Sequence, residues 1–369
     1  MSSKAPREGF LDALRFFAAL SVVLFHYGFR GYAQGGFLTL SFPELSPAAR
    51  YGYLGVQLFF MISGYVILWS INGRTASQFA VHRFIRLYPT FWLCVAITLM
   101  VEHATHAAAF FYPDHLAVAL NFTMVPSWFG YGAIDGVYWT LAIELQFYIL
   151  VALAVATLGF ERLTKVLFVW LLGRILLSQH VLGKLLIGYF GQHVYFYPGG
   201  DYYAYFCIGG ACYLIHRNGF SRTLMALLAI SLVVAVGQVI LQTRGLDQYY
   251  HARFSPFVCV GVVVTGAGLI FASNFISRFL GNRANKVALF LGGLTYPLYL
   301  IHQMAGYSIM DAYFDQSDRW VALISTIGLM LAAASAIYLG FDRPVRANLR
   351  RLADARLGQR LERHARNAG

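Results

Sequence analysis

The stretch LRFFAALSVVLFHYG (residues 14–28) sets Arg15 and His26 in an otherwise apolar run. An imidazole in such surroundings suits proton transfer or attack on a carbonyl, and a guanidinium suits an anion. The two residues are eleven apart. At 100° per residue they fall on nearly the same face of a helix, about 16 Å apart along its axis. They define one polar stripe with two ends. For Arg15 alone, a side chain snorkelling to the membrane edge accounts for the position equally well.

Further ionisable groups interrupt other apolar runs. HRFIRLYP (82–89) holds Arg83 and Arg86, three apart and so on one helix face. At a helix start such a pair suits phosphate, and ordinary cytoplasmic-side charge is an equal alternative. YWTLAIELQFYIL (138–150) carries Glu144 about two turns in, with Trp139 at the membrane edge. A carboxylate at that depth marks a functional site or is paired for packing. In LGGLTYPLYLIH (291–302), Tyr296-Pro297 predicts a kink, and His302 fits a packed, hydrogen-bonded histidine or a site residue. FDRPVR (341–346) places Asp342 and Arg343 before Pro344, which is expected to end a helix. In LGVQLFFMISGYVI (54–67), Ser63 and Gly64 suggest a small-residue helix contact. Depth sorts these groups: Arg15, Arg83 and Arg86 are inner, whereas His26, Glu144 and His302 are outer. An anion anchored at the inner arginines would extend a reactive end toward His26.

Groups spaced like this need helices to hold them. Of the 369 residues, 59% are hydrophobic and 12% charged, and the mean hydropathy is +0.59. Soluble domains carry about twice that charge fraction. Ten apolar segments recur, at about 10–29, 53–71, 85–101, 138–158, 163–179, 202–216, 222–241, 254–273, 287–306 and 320–341. Each approaches the ~20 residues that a span needs. Backbone in lipid must satisfy itself, so these are expected to be helices, and the runs are too long and too many to favour the alternative, a soluble α/β protein with buried strands. The expected fold class is all-α, a polytopic integral membrane bundle of about ten transmembrane helices with both termini cytoplasmic. That arrangement puts 21 of the 28 Lys and Arg residues inside, in the inner segments and the C-terminal tail, as the positive-inside rule requires. The first segment is read as a retained helix rather than a signal peptide. Residues 1–345 form the expected membrane domain. Residues 346–369 read as a basic tail, either an amphipathic helix on the inner membrane lipids or a solvated stop signal.

The net charge of +12 follows this topology, so no nucleic-acid partner is expected. Cys94, Cys207, Cys212 and Cys259 all lie in apolar segments without metal-ligand spacing to His, and read as packing residues. EHATH (102–106) reads as a solvated loop, and no metal site is expected. The outer loops FFYP (110–113), WFGY (128–131) and YFYPGGDYY (195–203) are rich in aromatic faces that suit sugar rings. Trp139, Tyr202 and His302 are candidates for binding a sugar, and Asp201 is a candidate for its hydroxyls. An interfacial aromatic belt accounts for any single ring.

In chain order, Arg15-x10-His26, GVQLFFMISGYVI, Arg83-x-x-Arg86, YWTLAIELQFY with Glu144, LTYPLYLIH and the closing acidic-x-Pro pattern resemble the acyltransferase-3 family. These are integral-membrane O-acyltransferases of bacterial envelope polysaccharides and related acceptors. One departure is Asp342, where the closing pattern usually has Glu. The resemblance implies an acyl-CoA co-substrate, acetyl-CoA by default, on the cytoplasmic side, with no tightly bound cofactor. It also implies transfer to a hydroxyl of a saccharide, glycolipid or polysaccharide at the outer face of the bacterial inner membrane. Carried over by residue, His26 is the catalytic base or acyl carrier, and Arg15, Arg83 and Arg86 hold the donor's phosphates or shape its channel. Glu144 is then expected near His26, orienting it as in a triad, or on the acceptor hydroxyl. The rival is a proton-coupled secondary transporter or flippase for an envelope glycan precursor. Its sign would be interrupted helices paired in two related halves, and the sequence displays none.

Overall fold

The computed structural model describes residues 9–33, 37–105, 114–179 and 202–367. Among these residues the regular elements are helical, without a strand. The principal helices are α1 Gly9–Ala33, α2 Ser46–Ile71, α3 Ala76–Ala104 and α4 Gly136–Leu158. There follow α5 Leu163–Gln179, α6 Tyr203–Asn218, α7 Arg222–Tyr250 and α8 Pro256–Phe271. The last four are α9 Asn282–Ile301, α10 Met304–Tyr313, α11 Arg319–Ile337 and α12 Arg343–Asn367.

All ten expected segments fall on helices, but fewer meet a spanning criterion. Among the described residues six helices are long and apolar enough to cross a membrane, or seven if the bent pair α9–α10 counts as one. The six are α1, α2, α3, α4, α7 and the run Gln316–Ala355 that contains α11. The helices α5, α6 and α8 have 17, 16 and 16 residues. The shortness of α6 has a physical reason, since Tyr203–Ile215 is buried on every face and meets protein rather than lipid.

The core is built on two helix contacts: α6 runs along α2, and α9 along α1. Backbones approach closely where α2 crosses α6. A Cβ on Gly64 would lie 2.1 Å from the Phe206 carbonyl oxygen, and one on Gly209 would lie 1.8 Å from that of Met61. The small-residue contact expected at Gly64 is present. On the loop side of α5, Arg217 bonds Glu161 at 2.9 Å. Those hydrogen bonds hold the Glu161 carboxyl below its ordinary range. All four cysteines are buried and free.

Three boundaries differ from the sequence expectation. First, α3 starts at Ala76 rather than near residue 85, because Thr75 and Gln78 form a reciprocal capping box. Arg83 and Arg86 therefore lie two to three turns inside the helix, and a helix N-terminus does not act on an anion there. Second, Pro344 does not end a helix. A π-turn at Tyr338–Asp342 leads straight into α12, and Pro344 lies inside this continuous helical run, just after the turn. Third, Pro297 lies inside α9, and the chain bends by 65° only between Ile301 and Met304. A second π-turn, His26–Arg30, follows the regular part of α1. Such turns re-aim side chains locally.

Candidate functional site

Four of the residues singled out by type and spacing meet around one cavity. Arg15 of α1, Arg83 and Arg86 of α3, and Glu144 of α4 line it, together with Ser63 of α2 and Thr295, Tyr296 and Tyr299 of α9. Its empty space is about 670 Å³, part of it open to solvent. The depth sorting had separated Glu144 from the arginines. The helix starts explain why they meet. Arg83 and Arg86 lie seven and ten residues after Ala76, and Glu144 lies eight after Gly136. At 1.5 Å per residue all three sit about 10–15 Å along their helices, at middle depth.

The cavity lining carries more positive than negative charge. Three guanidiniums line it against one carboxylate. Arg83 lies over the rings of Phe79 and Tyr148 at 5.5 and 5.6 Å, and Arg86 lies over Tyr296 at 5.5 Å. Aromatic faces thus hold both forks without using their hydrogens. Arg83 Nε and Arg86 Nη1 are buried without a hydrogen-bond acceptor. Behind Arg86 stands Asp342, 0% exposed, at 3.8 Å. Asp342 also pairs with Arg346 and accepts from Thr90 Oγ1 at 2.6 Å. The closing acidic residue therefore braces Arg86 from outside the cavity.

His26 is placed elsewhere. Its Nδ1 is 3.0 Å from Nε2 of His302. Glu144 instead accepts a hydrogen bond from Ser63 Oγ at 2.6 Å. The contact with His26 that triad logic gives to Glu144 is thus made by His302, a residue that is fully enclosed. Tyr299 joins the two regions. Its hydroxyl bonds Thr140 Oγ1 (2.9 Å) in the cavity wall, and its ring centroid is 5.7 Å from that of His302. Of the acceptor candidates, the rings of Trp139 and Tyr202 lie 5.4 Å apart and tilted, and Phe60 lies 4.8 Å from Tyr202 while also lining the cavity. His302 has its ring contacts with His26, Tyr27 and Tyr299, and Asp201 lies outside the described residues.

The bend between α9 and α10 is what positions His302. A broken helix in a membrane survives only if its freed backbone groups are met by protein. Tyr27 donates its hydroxyl to the His302 carbonyl, and Tyr138 donates to the Leu300 carbonyl at 3.1 Å. Asp135 Oδ2 accepts from Met304 N at 3.0 Å. On sequence alone Ser63 has a packing role, and Thr295, Tyr299 and these tyrosines are not singled out as site residues. One signal was available: Thr295, Tyr299 and His302 are spaced i, i+4, i+7, a single helical stripe.

The family model described as Acyltransferase domain matches residues 8–339. The peptidoglycan O-acetyltransferase OatA of Listeria monocytogenes is 24% identical over 92% of this chain and 56% of its own length. The protein YrhL of Bacillus subtilis is 27% identical over 79% of this chain and 47% of its own. Nodulation protein 10 of Rhizobium leguminosarum is 32% identical over 40% of this chain and 44% of its own. The chain thus spans about half the length of these relatives. No solved structure matches it.

Proposed function

Since this chain belongs to the acyltransferase family whose model covers residues 8–339, we propose that it moves an acyl group, acetyl by default, from acyl-CoA to a hydroxyl of an envelope saccharide. The observation that carries the donor side is the charge of the cavity. Its three guanidiniums face one carboxylate, and two of their buried N–H groups lack acceptors. Buried positive charge in such excess is costly until an anion fills the space. Guanidinium forks suit phosphate oxygens, and CoA carries several phosphates on a long thin arm. With the phosphates held near Arg83 and Arg86, the arm leads past Tyr299 toward His26.

The chemistry at His26 is direct transfer. Its imidazole takes the proton of the acceptor hydroxyl as the oxygen attacks the thioester carbonyl carbon. The C–S bond breaks, and the thiolate leaves and recovers that proton from the imidazolium. A trapped acyl-His26 adduct in enzyme given donor alone contradicts this route. Trp139, Tyr202 and Phe60 supply flat faces for a sugar ring, with the hydroxyl directed inward. The name of the Listeria relative supports a peptidoglycan-type acceptor. The bias of Lys and Arg supports ten crossings with both termini cytoplasmic, acyl-CoA entering from inside, and an acceptor at the outer face of the bacterial inner membrane. The transporter reading calls for two interrupted helix pairs, and the described residues contain one bent pair.

The test compares O-acyl content of envelope glycans, by mass and NMR, in cells with wild type or His26→Ala at equal protein level. Acylation absent from the variant is expected. Equal acylation in both overturns the assignment.

A further inference from the structure

What each ring nitrogen touches sets the protonation of the histidine pair. His302 Nδ1 lies 2.9 Å from the Tyr299 carbonyl oxygen and 3.2 Å from that of Leu298. Both oxygens only accept, so this nitrogen carries a hydrogen. An imidazolium enclosed at 0% exposure beside a second imidazole would be costly, so the ring is neutral and Nε2 holds its lone pair. That lone pair faces His26 Nδ1 at 3.0 Å, which must then carry a hydrogen and donate it. The Val22 carbonyl, also against this ring, is a second acceptor for a hydrogen on it, and with Nδ1 protonated the lone pair of His26 is on Nε2. What exposure the pair has belongs to His26, at 6%. The His26 backbone is tied as well, since Tyr307 donates to its carbonyl at 3.1 Å.

We propose that His302 is a positioning residue for His26: it fixes the Nδ1–H tautomer and turns Nε2 outward as the base. The role rests on His26 being the base, as proposed above. A free neutral imidazole prefers the opposite tautomer, Nε2–H, which has no lone pair at the outward nitrogen. His302 thus supplies what a triad carboxylate supplies, orientation and tautomer. It does so as a neutral group anchored on two backbone carbonyls at a helix break. Because His302 itself brings no negative charge, it stabilises the imidazolium formed at His26 less than a triad carboxylate does. Return of the proton to the leaving thiolate is correspondingly favoured.

The test reads the tautomer directly, independently of turnover. Full-length protein with ¹⁵N-labelled histidine is placed in lipid nanodiscs, and the His26 signals are assigned by difference against His26→Ala. The wild type is expected to carry its hydrogen on Nδ1. His302→Gln retains an acceptor at the right reach and keeps that tautomer. His302→Phe loses it, and envelope O-acyl content falls by about 10² or more, given the ~10⁴ cost of a wrong tautomer in a triad. A wild-type His26 protonated on Nε2 overturns the inference, whether or not the Phe variant folds. So does His302→Phe with unchanged tautomer and unchanged acylation. If the tautomer is wrong but His26→Ala is inactive, only this inference falls. If His26→Ala still acylates, the proposed function falls, and this role of His302 falls with it.

Discussion

Asp342 is fully buried, faces the guanidiniums of Arg86 and Arg346, and accepts from Thr90. Removing one partner of a buried charge set leaves the others uncompensated, at a cost of about 3–5 kcal/mol. Asp342→Asn is therefore expected to lower the thermal unfolding temperature and to weaken acyl-CoA binding through a misplaced Arg86. Asp342→Glu is expected to retain both. Calorimetry and donor titration check this, and unchanged values in Asp342→Asn contradict it. At this scale the sequence was readable where a residue is expensive. Arg15, Arg83, Arg86 and Glu144 stand out because ionisable groups in apolar runs are costly, and they do share one cavity. Ser63, Thr295 and Tyr299 were not readable, since hydroxyls cost little on a membrane helix and occur there for packing alone. The partner of His26 was hidden for a different reason: His302 is 276 residues away, and either histidine alone fits a packed core.

The bend between α9 and α10 concentrates buried hydrogen bonds from Tyr27, Tyr138 and Asp135. Removing a hydroxyl leaves a buried carbonyl unmet, at about 1–3 kcal/mol. Tyr27→Phe and Tyr138→Phe are expected to destabilise the protein by that amount in thermal melts. Tyr27→Phe, which frees the His302 carbonyl, is expected also to reduce acyl transfer. A Tyr27→Phe protein with wild-type melting and transfer contradicts this account of the bend. Pro297 made some distortion predictable, but not its place. Proline removes one N–H, whereas the chain opens where hydroxyls stand ready for the freed carbonyls, and those come from distant helices. The start of α3 was hidden in the same way, because its first turns are polar and hydropathy begins late; the Thr75–Gln78 capping box was the available signal. At the α2–α6 crossing, Gly64→Ala puts a methyl against the Phe206 carbonyl. Overpacking of this kind costs about 1–3 kcal/mol, to be read as a lower melting temperature.

For the whole molecule, composition alone made an all-helical membrane protein legible, because long apolar runs have one structural solution in lipid. The number of crossings was less legible. A helix such as α6, enclosed by protein, need not reach bilayer length, so hydropathy and helix length disagree there. Orientation is tested by single cysteines read with a membrane-impermeant maleimide, against a background of four buried native thiols. Ser317→Cys is expected to label in intact cells, and Asn218→Cys only after permeabilisation; the reverse pattern overturns the topology. The central claim is that the arginine cavity holds the acyl donor for His26. Titration of acetyl-CoA into purified full-length protein in nanodiscs tests it most directly. Wild type and His26→Ala are predicted to bind alike, and Arg83→Ala/Arg86→Ala to lose about tenfold or more in affinity, as the loss of charge-assisted phosphate contacts requires. Undiminished binding in the double arginine variant, or no binding by the wild type, would contradict it.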